Sequence, residues 1–239
     1  MTEPTSTQKL FIFKGRHFDQ EIIVLCVRWY LTFKLSSRDL VQMMTERGIT
    51  LTHTTILRWV QRYVPEFEKR WSRYARPVGD SWRVDETYLK IKGQWVYLYR
   101  AVDKAGRTVD FLLSRRRDIA AAKRFFSRAT RQHGVPRVIT LDGYAASHRA
   151  VAKLKEVGTL PRRVQVRSCK YLNNVVEQVH RRIKQRIRPM LGFKRFEKAA
   201  VTIRGIELAA KIKKDQFNLR SLTGKPATAP ELWAVVLAA

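Results

Sequence analysis

Acidic residues are scarce in this chain of 239 residues. Twenty Asp and Glu stand against 48 Lys and Arg, leaving a formal charge of +28 and a pI near 10.9. That imbalance calls for a polyanionic partner or a strongly self-repelling surface. Cysteine is rarer still. Cys26 and Cys169 lie far apart without metal-ligand spacing, which excludes a disulfide framework and fits free thiols in a reducing compartment. No apolar run reaches roughly 18 residues, so no membrane-crossing helix is expected. The opening "MTEPTSTQKLFIFKGRHF" lacks the apolar core of a signal peptide, and no lipidation motif appears. A cytoplasmic protein that works on nucleic acid, without a membrane partner, is the expectation. No internal repeat interrupts the chain.

What is present is enough apolar material for a sizeable core, 45% of residues, of which the aromatics are 10% of the chain. Residues 19–74 read as helices. "DQEIIVLCVRWYLTF" opens at Asp19 as N-cap, and "SSRDLVQMMTERG" is capped by Ser36 or Ser37 and stopped by Gly48. "ITLTHTTILRWVQRYVP" then runs to Pro65, helical from about Thr52. Helix, glycine turn, and helix with Thr54, Thr55, Arg58 and Arg62 on its polar side form the helix-turn-helix pattern, although a plain three-helix bundle has the same periodicity. The net charge favours DNA binding, and Trp59 is read as core.

"RYARPVGDSW" is linker-like, and the texture then changes. "SWRVDETYLKI", "QWVYLYRAV" and "TVDFLLS" read as strands separated by tight turns, an antiparallel meander. Helix, strand, helix, strand, helix follow. Residues 80–190 thus read β-β-β-α-β-α-β-α, an α/β mixed sheet flanked by helices, the order of a ribonuclease-H-like fold. Pro189 ends the last of these helices, "FEKAAVTIRGIELAAKIKK" makes another, and the final twenty or so residues read as a loose tail. The expected division is 1–76 helix-turn-helix, 77–195 catalytic, and 196–239 C-terminal helix and tail.

Against this background one acid is conspicuous. Between Val157 and Phe196 eleven bases surround a single carboxylate, Glu177. Asp85 falls in the first strand and Asp142 at the end of a buried one. Two carboxylates from neighbouring strands and one from a helix can converge on divalent metal for phosphoryl transfer. Each also has a plain reading: Asp85 or its neighbour Glu86 as a surface charge, Asp142 as a turn residue before Gly143, and Glu177 as the partner of Arg181. Helical projection separates these for Glu177. Val176, Val179, Ile183 and Ile187 form an apolar stripe, while Glu177, His180, Arg181, Lys184 and Arg188 form another. An acid for metal then sits beside cations for phosphate. His180 is set aside as a helix-surface residue.

These segments resemble the transposases of insertion-sequence family six, within the DDE group. The resemblance spans nearly the whole chain through "FKGRHF", "VRWY", "TILRWVQRY", "VDETYLKIKGQWVYLYRAVDKAGRTVDFLLS", "TLDG", "YLNNVVEQ", "RRIKQRIRPMLGFKRF" and "TIRGIE". It implies Asp85, Asp142 and Glu177 as catalytic and metal-holding acids, with the family's interval of 34 residues between the last two. It implies Lys184 as the basic residue seven positions after Glu177; the same helix face adds Arg181 and Arg188 as phosphate contacts, and the helix-turn-helix pattern adds Arg58, Arg62, Thr54 and Thr55 as DNA contacts. The implied activity is Mg²⁺-dependent cleavage and strand transfer at terminal inverted repeats, with Mn²⁺ able to substitute. The implied partners are double-stranded DNA, both repeat ends and target, and further copies of the chain, as a dimer or higher on DNA. The implied setting is the bacterial nucleoid. Gly143 and Val179 depart from many relatives, which carry Lys and Asp there, yet neither removes an implied ligand. Two rival readings are a DNA-binding regulator with weakened catalysis and a nuclease without strand transfer.

Overall fold

A computed structural model describes residues 11–15, 17–169, 174–220, 222 and 228–238. The N-terminal part is helical: α1 (Gln20–Thr32), α2 (Ser37–Thr45) and α3 (His53–Ser72). Ser36 caps α2 by accepting from the backbone of Arg38 and Asp39, and Asp39 returns the bond to Ser36, so both ends of a capping box are closed. Asp19 holds the N-cap position of α1 without a side-chain capping bond. Gly48 takes φ +72° in the turn after α2, a conformation that strains residues with a Cβ.

α3 does not stop at Pro65 as its sequence suggests; it runs through it to Ser72. An interior proline costs about 3 kcal/mol. The continuous buried stripe Tyr63, Val64, Phe67 and Trp71 offsets that loss, since full burial of each such side chain contributes about 1.5–3 kcal/mol.

The meander follows as β1 (Ser81–Ile91), β2 (Gln94–Asp103) and β3 (Thr108–Ser114). Then come α4 (Ile119–His133), β4 (Val138–Leu141), α5 (Ala145–Glu156), β5 (Gln165–Ser168) and α6 (Asn174–Ile187). The sheet order is β3-β2-β1-β4-β5. β1–β2 and β2–β3 are antiparallel, whereas β1–β4 and β4–β5 are parallel. This is the ribonuclease-H-like arrangement expected from the element order.

Strand alternation divides the core between the two faces of the sheet. Trp82 and Val84 of β1, with Tyr99 and Ala101 of β2, pack with Phe125 and Phe126 of α4 and Leu154 of α5. Leu89 and Ile91, with Val96 and Leu98, join Ile183 of α6 in a second core. That second core continues into the helices at both ends of the chain. α7 (Phe196–Lys213) lies against α1 and α3.

Two features fix α7 in place. A Cβ on Gly205 would lie 2.7 Å from Leu31 and 2.9 Å from Val64, so glycine alone permits this approach. Two residues on, the carboxylate of Glu207 accepts from both terminal nitrogens of Arg100 on β2, one bond being 3.0 Å, with both side chains fully buried.

The C-terminal tail is not loose throughout. Residues Ala229–Ala238 form α8, which buries Trp233, Val236 and Leu237, and Trp233 meets Phe67 and Trp71 edge-on. Its short apolar run gains a helix by packing on α3, a tertiary contribution that local propensity does not contain. The side chains of Val176 and Val179, placed on the apolar stripe of α6, lie outside the described residues. No helix is long and apolar enough to cross a membrane among the described residues.

Candidate active site

The parallel pairing of β1 with β4 ends at Val84 opposite Leu141. The next residue on each strand is an acid, Asp85 on one and Asp142 on the other. They are brought together because the two parallel strands are in register where their pairing ends, although β1 itself runs on to Ile91. The side chain of Asp85 is 15% exposed and that of Asp142 is 27% exposed, so both are held yet reachable. Asp85 Oδ1 accepts from the backbone of Glu86 at 2.9 Å, and Asp142 Oδ1 from that of Tyr144 at 3.1 Å.

Glu86 is no surface charge. Strand alternation turns it to the opposite face from Asp85, where its side chain is only 2% exposed. Ser147 of α5 donates its hydroxyl to one carboxylate oxygen, and Arg117 donates to the other at 3.1 Å. Burial pushes the Glu86 carboxyl above its usual range. The charge of Asp142 pushes the same way, while Ser147 and Arg117 oppose. Arg117 also comes within 4.0 Å of Asp142 Oδ2 and lies 3.5 Å from the ring centre of Tyr144. Ligand oxygens from Asp85, Glu86 and Asp142 all fall within 4.8 Å of one another.

Glu177 stands in the first turn of α6, exposed. It is outside that 4.8 Å set, but with Asp85 and Glu86 it lines a cavity of about 460 Å³. The same cavity is lined by Arg181, Lys184 and Arg188, so the acid-and-base face projected for α6 does turn toward the strand acids. His180 is a correction. It is 5% exposed, and its Nε2 lies 3.5 Å from Asp85 Oδ2. Burial, helped by Arg100, lowers its pKa, against the opposing pull of Asp85.

Glu86 and Asp142 share one guanidinium, that of Arg117. Oxygen-only donors like these carboxylates suit hard divalent cations such as Mg²⁺, which take a few carboxylates and leave positions for substrate oxygens. The donor set therefore fits a divalent cation.

Comparison with known proteins agrees with this geometry. Residues 79–216 match the family model described as "DDE domain". The chain is 37% identical over 209 residues to the transposase for insertion sequence-like element IS431mec of Staphylococcus aureus, covering 87% of this chain and 92% of that one. Identity and coverage are the same for the transposase for insertion sequence element IS257 in transposon Tn4003 of Staphylococcus aureus. The chain belongs to the insertion-sequence family six DDE transposases. Among solved structures, the HTLV-2 integrase catalytic core domain in complex with magnesium aligns with a TM-score of 0.41 at 16% identity, over 55% of this chain and 86% of that one. The BIV integrase catalytic core domain gives 0.41 at 16%, over 54% and 83%.

In this transposase a second, larger groove of about 1320 Å³ separates the helical part from the sheet. Arg38, Arg58, Arg62 and Thr54 line it from α2 and α3. Lys90 and Lys92 face them from the β1–β2 hairpin, and Lys194, Arg195 and Lys198 from the start of α7 and the turn before it. No acid lines it among the described residues. Thr55, read with Thr54 as a DNA contact, does not line the groove; its hydroxyl is 2.9 Å from that of Thr52, the N-cap of α3. Trp59 is core, 7% exposed and edge-on to Phe18.

Sequence reasoning missed the buried roles of Glu86 and His180. A signal for Glu86 exists only in part: its neighbour Asp85 faces the cavity, which sends Glu86 to the other face, but nothing local announces Ser147 or Arg117.

Proposed function

We propose that this DNA-cleaving enzyme binds the terminal inverted repeats of a mobile element, cuts a strand at each end and joins the freed 3′ ends to target DNA. One observation supports this most directly. Asp85 and Asp142 follow the last parallel pair of β1 and β4 side by side, and Asp85 shares a cavity with Glu177 and a row of bases.

Asp85, Asp142 and Glu177 are the metal-holding acids in this reading, with Mg²⁺ as the natural cation and Mn²⁺ as a substitute. A divalent cation there supplies activation of the attacking oxygen and neutralisation of charge on the leaving one. The chain itself binds and positions. Lys184, Arg181 and Arg188 hold phosphates beside the acids. Arg117 and Ser147 fix Glu86, and through the shared Arg117 they steady Asp142. His180, uncharged near neutral pH because burial lowers its pKa, backs Asp85 without competing as a cation.

Sequence recognition falls to residues 1–76, with Arg58, Arg62 and Thr54 reaching the duplex through the groove and Thr55 securing the helix start. Residues 77–195 carry the chemistry, and residues 196–239 tie the two together. Two ends must be joined in one event, so the working form is a dimer or higher on DNA.

Strand transfer with pre-cleaved ends is the test. Joined product with Mg²⁺ supports the reading. Cleavage without joining would make the protein a nuclease, and binding with neither would make it a regulator.

A further inference from the structure

The β1–β2 hairpin extends past the sheet. β4 accompanies β1 only from Ser81 to Val84, and beyond Asp85 one face of the hairpin carries large side chains open to solvent. Tyr88 on that face is 54% exposed and Trp95 is 50% exposed. Cross-strand register puts Lys90 opposite Trp95 and Tyr88 opposite Tyr97. The two exposed rings meet edge-on at 88°, with centroids 4.8 Å apart. Lys90 Nζ sits 4.6 Å from the centre of the Trp95 ring, and Lys184 Nζ reaches from α6 to 4.4 Å from that of Tyr88. Two large aromatic side chains left half in water, each covered by a flexible cation, are not needed for the core.

We propose that Tyr88 and Trp95 form a stacking platform for an unpaired DNA base next to the cleavage site. This rests on the transposase reading above. Position and charge both favour a base as the occupant. Tyr88 is three residues along β1 from Asp85, about 10 Å at strand rise and on the face of Glu86, and Lys184, which lines the cavity with the acids, reaches its ring. A platform at that distance is within reach of a strand whose phosphate lies at the acids. The charges seated on the two rings, Lys90 and Lys184, are cations, which suit a phosphate backbone. A second copy of this chain, itself carrying +28, is repelled from the same surface.

The lysines fit this occupant. An ammonium on a ring face is exchanged for a phosphate when DNA arrives, and the ring face is released to a base. Stacking needs an unpaired base, because in a duplex the base faces are already covered, and it tolerates any sequence. The platform therefore favours ends whose last pairs have opened.

Full-length protein is titrated with a blunt duplex and with the same duplex bearing a three-nucleotide single-stranded overhang that contains 2-aminopurine. Tyr88→Leu, Trp95→Leu and Tyr88→Phe are compared with wild type, with melting temperature and oligomeric state recorded for each. Wild type is expected to bind the overhang about tenfold more tightly than the blunt duplex and to quench the 2-aminopurine. Each Leu variant loses that tenfold preference and the quenching, keeps blunt-duplex affinity within twofold, and melts as wild type does. Tyr88→Phe keeps both signals. Leu variants that bind the overhang as wild type does, or that lose both DNAs equally, overturn the platform alone. A Leu variant that changes oligomeric state also overturns it and assigns the rings to contact between copies. Wild-type protein that binds neither DNA contradicts the transposase reading as well.

Discussion

Asp85 and Arg100 are cross-strand partners on β1 and β2, yet the charges around them are used in opposite ways. Arg100 is fully buried and is answered by Glu207 of α7, one base to one acid with two bonds between them. Asp85, Glu86 and Asp142 lie together with one guanidinium, Arg117, shared between Glu86 and Asp142, and the cluster opens to a cavity. Burial and ionic character are common to both regions. Pairing and access separate them: the matched, closed pair holds α7 to the sheet, and the open set is free to take a cation.

That contrast can be broken by mutation. The largest effect is expected at the open site. Asp85→Asn, Asp142→Asn and Glu177→Gln should each lower Mg²⁺-dependent end cleavage by a thousandfold or more, about 4 kcal/mol of barrier, with end binding within twofold. Gel assays of cleavage and binding on the same preparations check this. A variant that keeps near-normal cleavage removes that residue from the metal set.

The closed pair should respond in stability instead. Glu207→Gln leaves Arg100 buried without its countercharge and should cost about 3–5 kcal/mol, read by urea unfolding. Replacing both partners with apolar residues should recover most of the loss, since a matched buried pair adds little net stability over well-packed hydrophobic side chains.

Gly205→Ala sharpens the same point two residues away. Its methyl would enter space already held by Leu31 and Val64, and overpacking of this kind costs about 1–3 kcal/mol. The smallest expected effect lies at the rim. Lys184→Ala should weaken DNA binding severalfold and lower the slope of log affinity against log salt by about one, because one phosphate contact is lost.

The strands and their order were legible because each is bounded by a turn signal, and the sheet's parallel half follows from its βα units. Asp85 could be placed in the first strand and Asp142 at the end of a buried one, because the alternating and apolar runs that carry them are plain in the sequence. The face of α6 could be read from its period, which put Glu177 with Lys184.

What was not legible depends on partners distant in the chain. Arg100 and Glu207 lie 107 residues apart, and each alone reads as a surface charge. Glu86 is buried by Ser147, 61 residues away. His180 sits on the polar stripe of its helix, and only the approach of β1 buries it. Pro65 and α8 show the same limit in the backbone: packing on α7 and α3 decides both against local signals.

The central claim is that Asp85 and Asp142, with Glu177 nearby, hold a divalent cation. The melting temperature as a function of Mg²⁺, measured for wild type, Asp142→Asn and Glu207→Gln, tests it most directly. At Mg²⁺ tenfold above its dissociation constant, wild type should gain about 1.4 kcal/mol, a rise of roughly 3–6 °C for a chain of this size. Glu207→Gln should start lower and show the same rise, while Asp142→Asn should show none. An equal rise in Asp142→Asn, or no rise in wild type, would contradict the account.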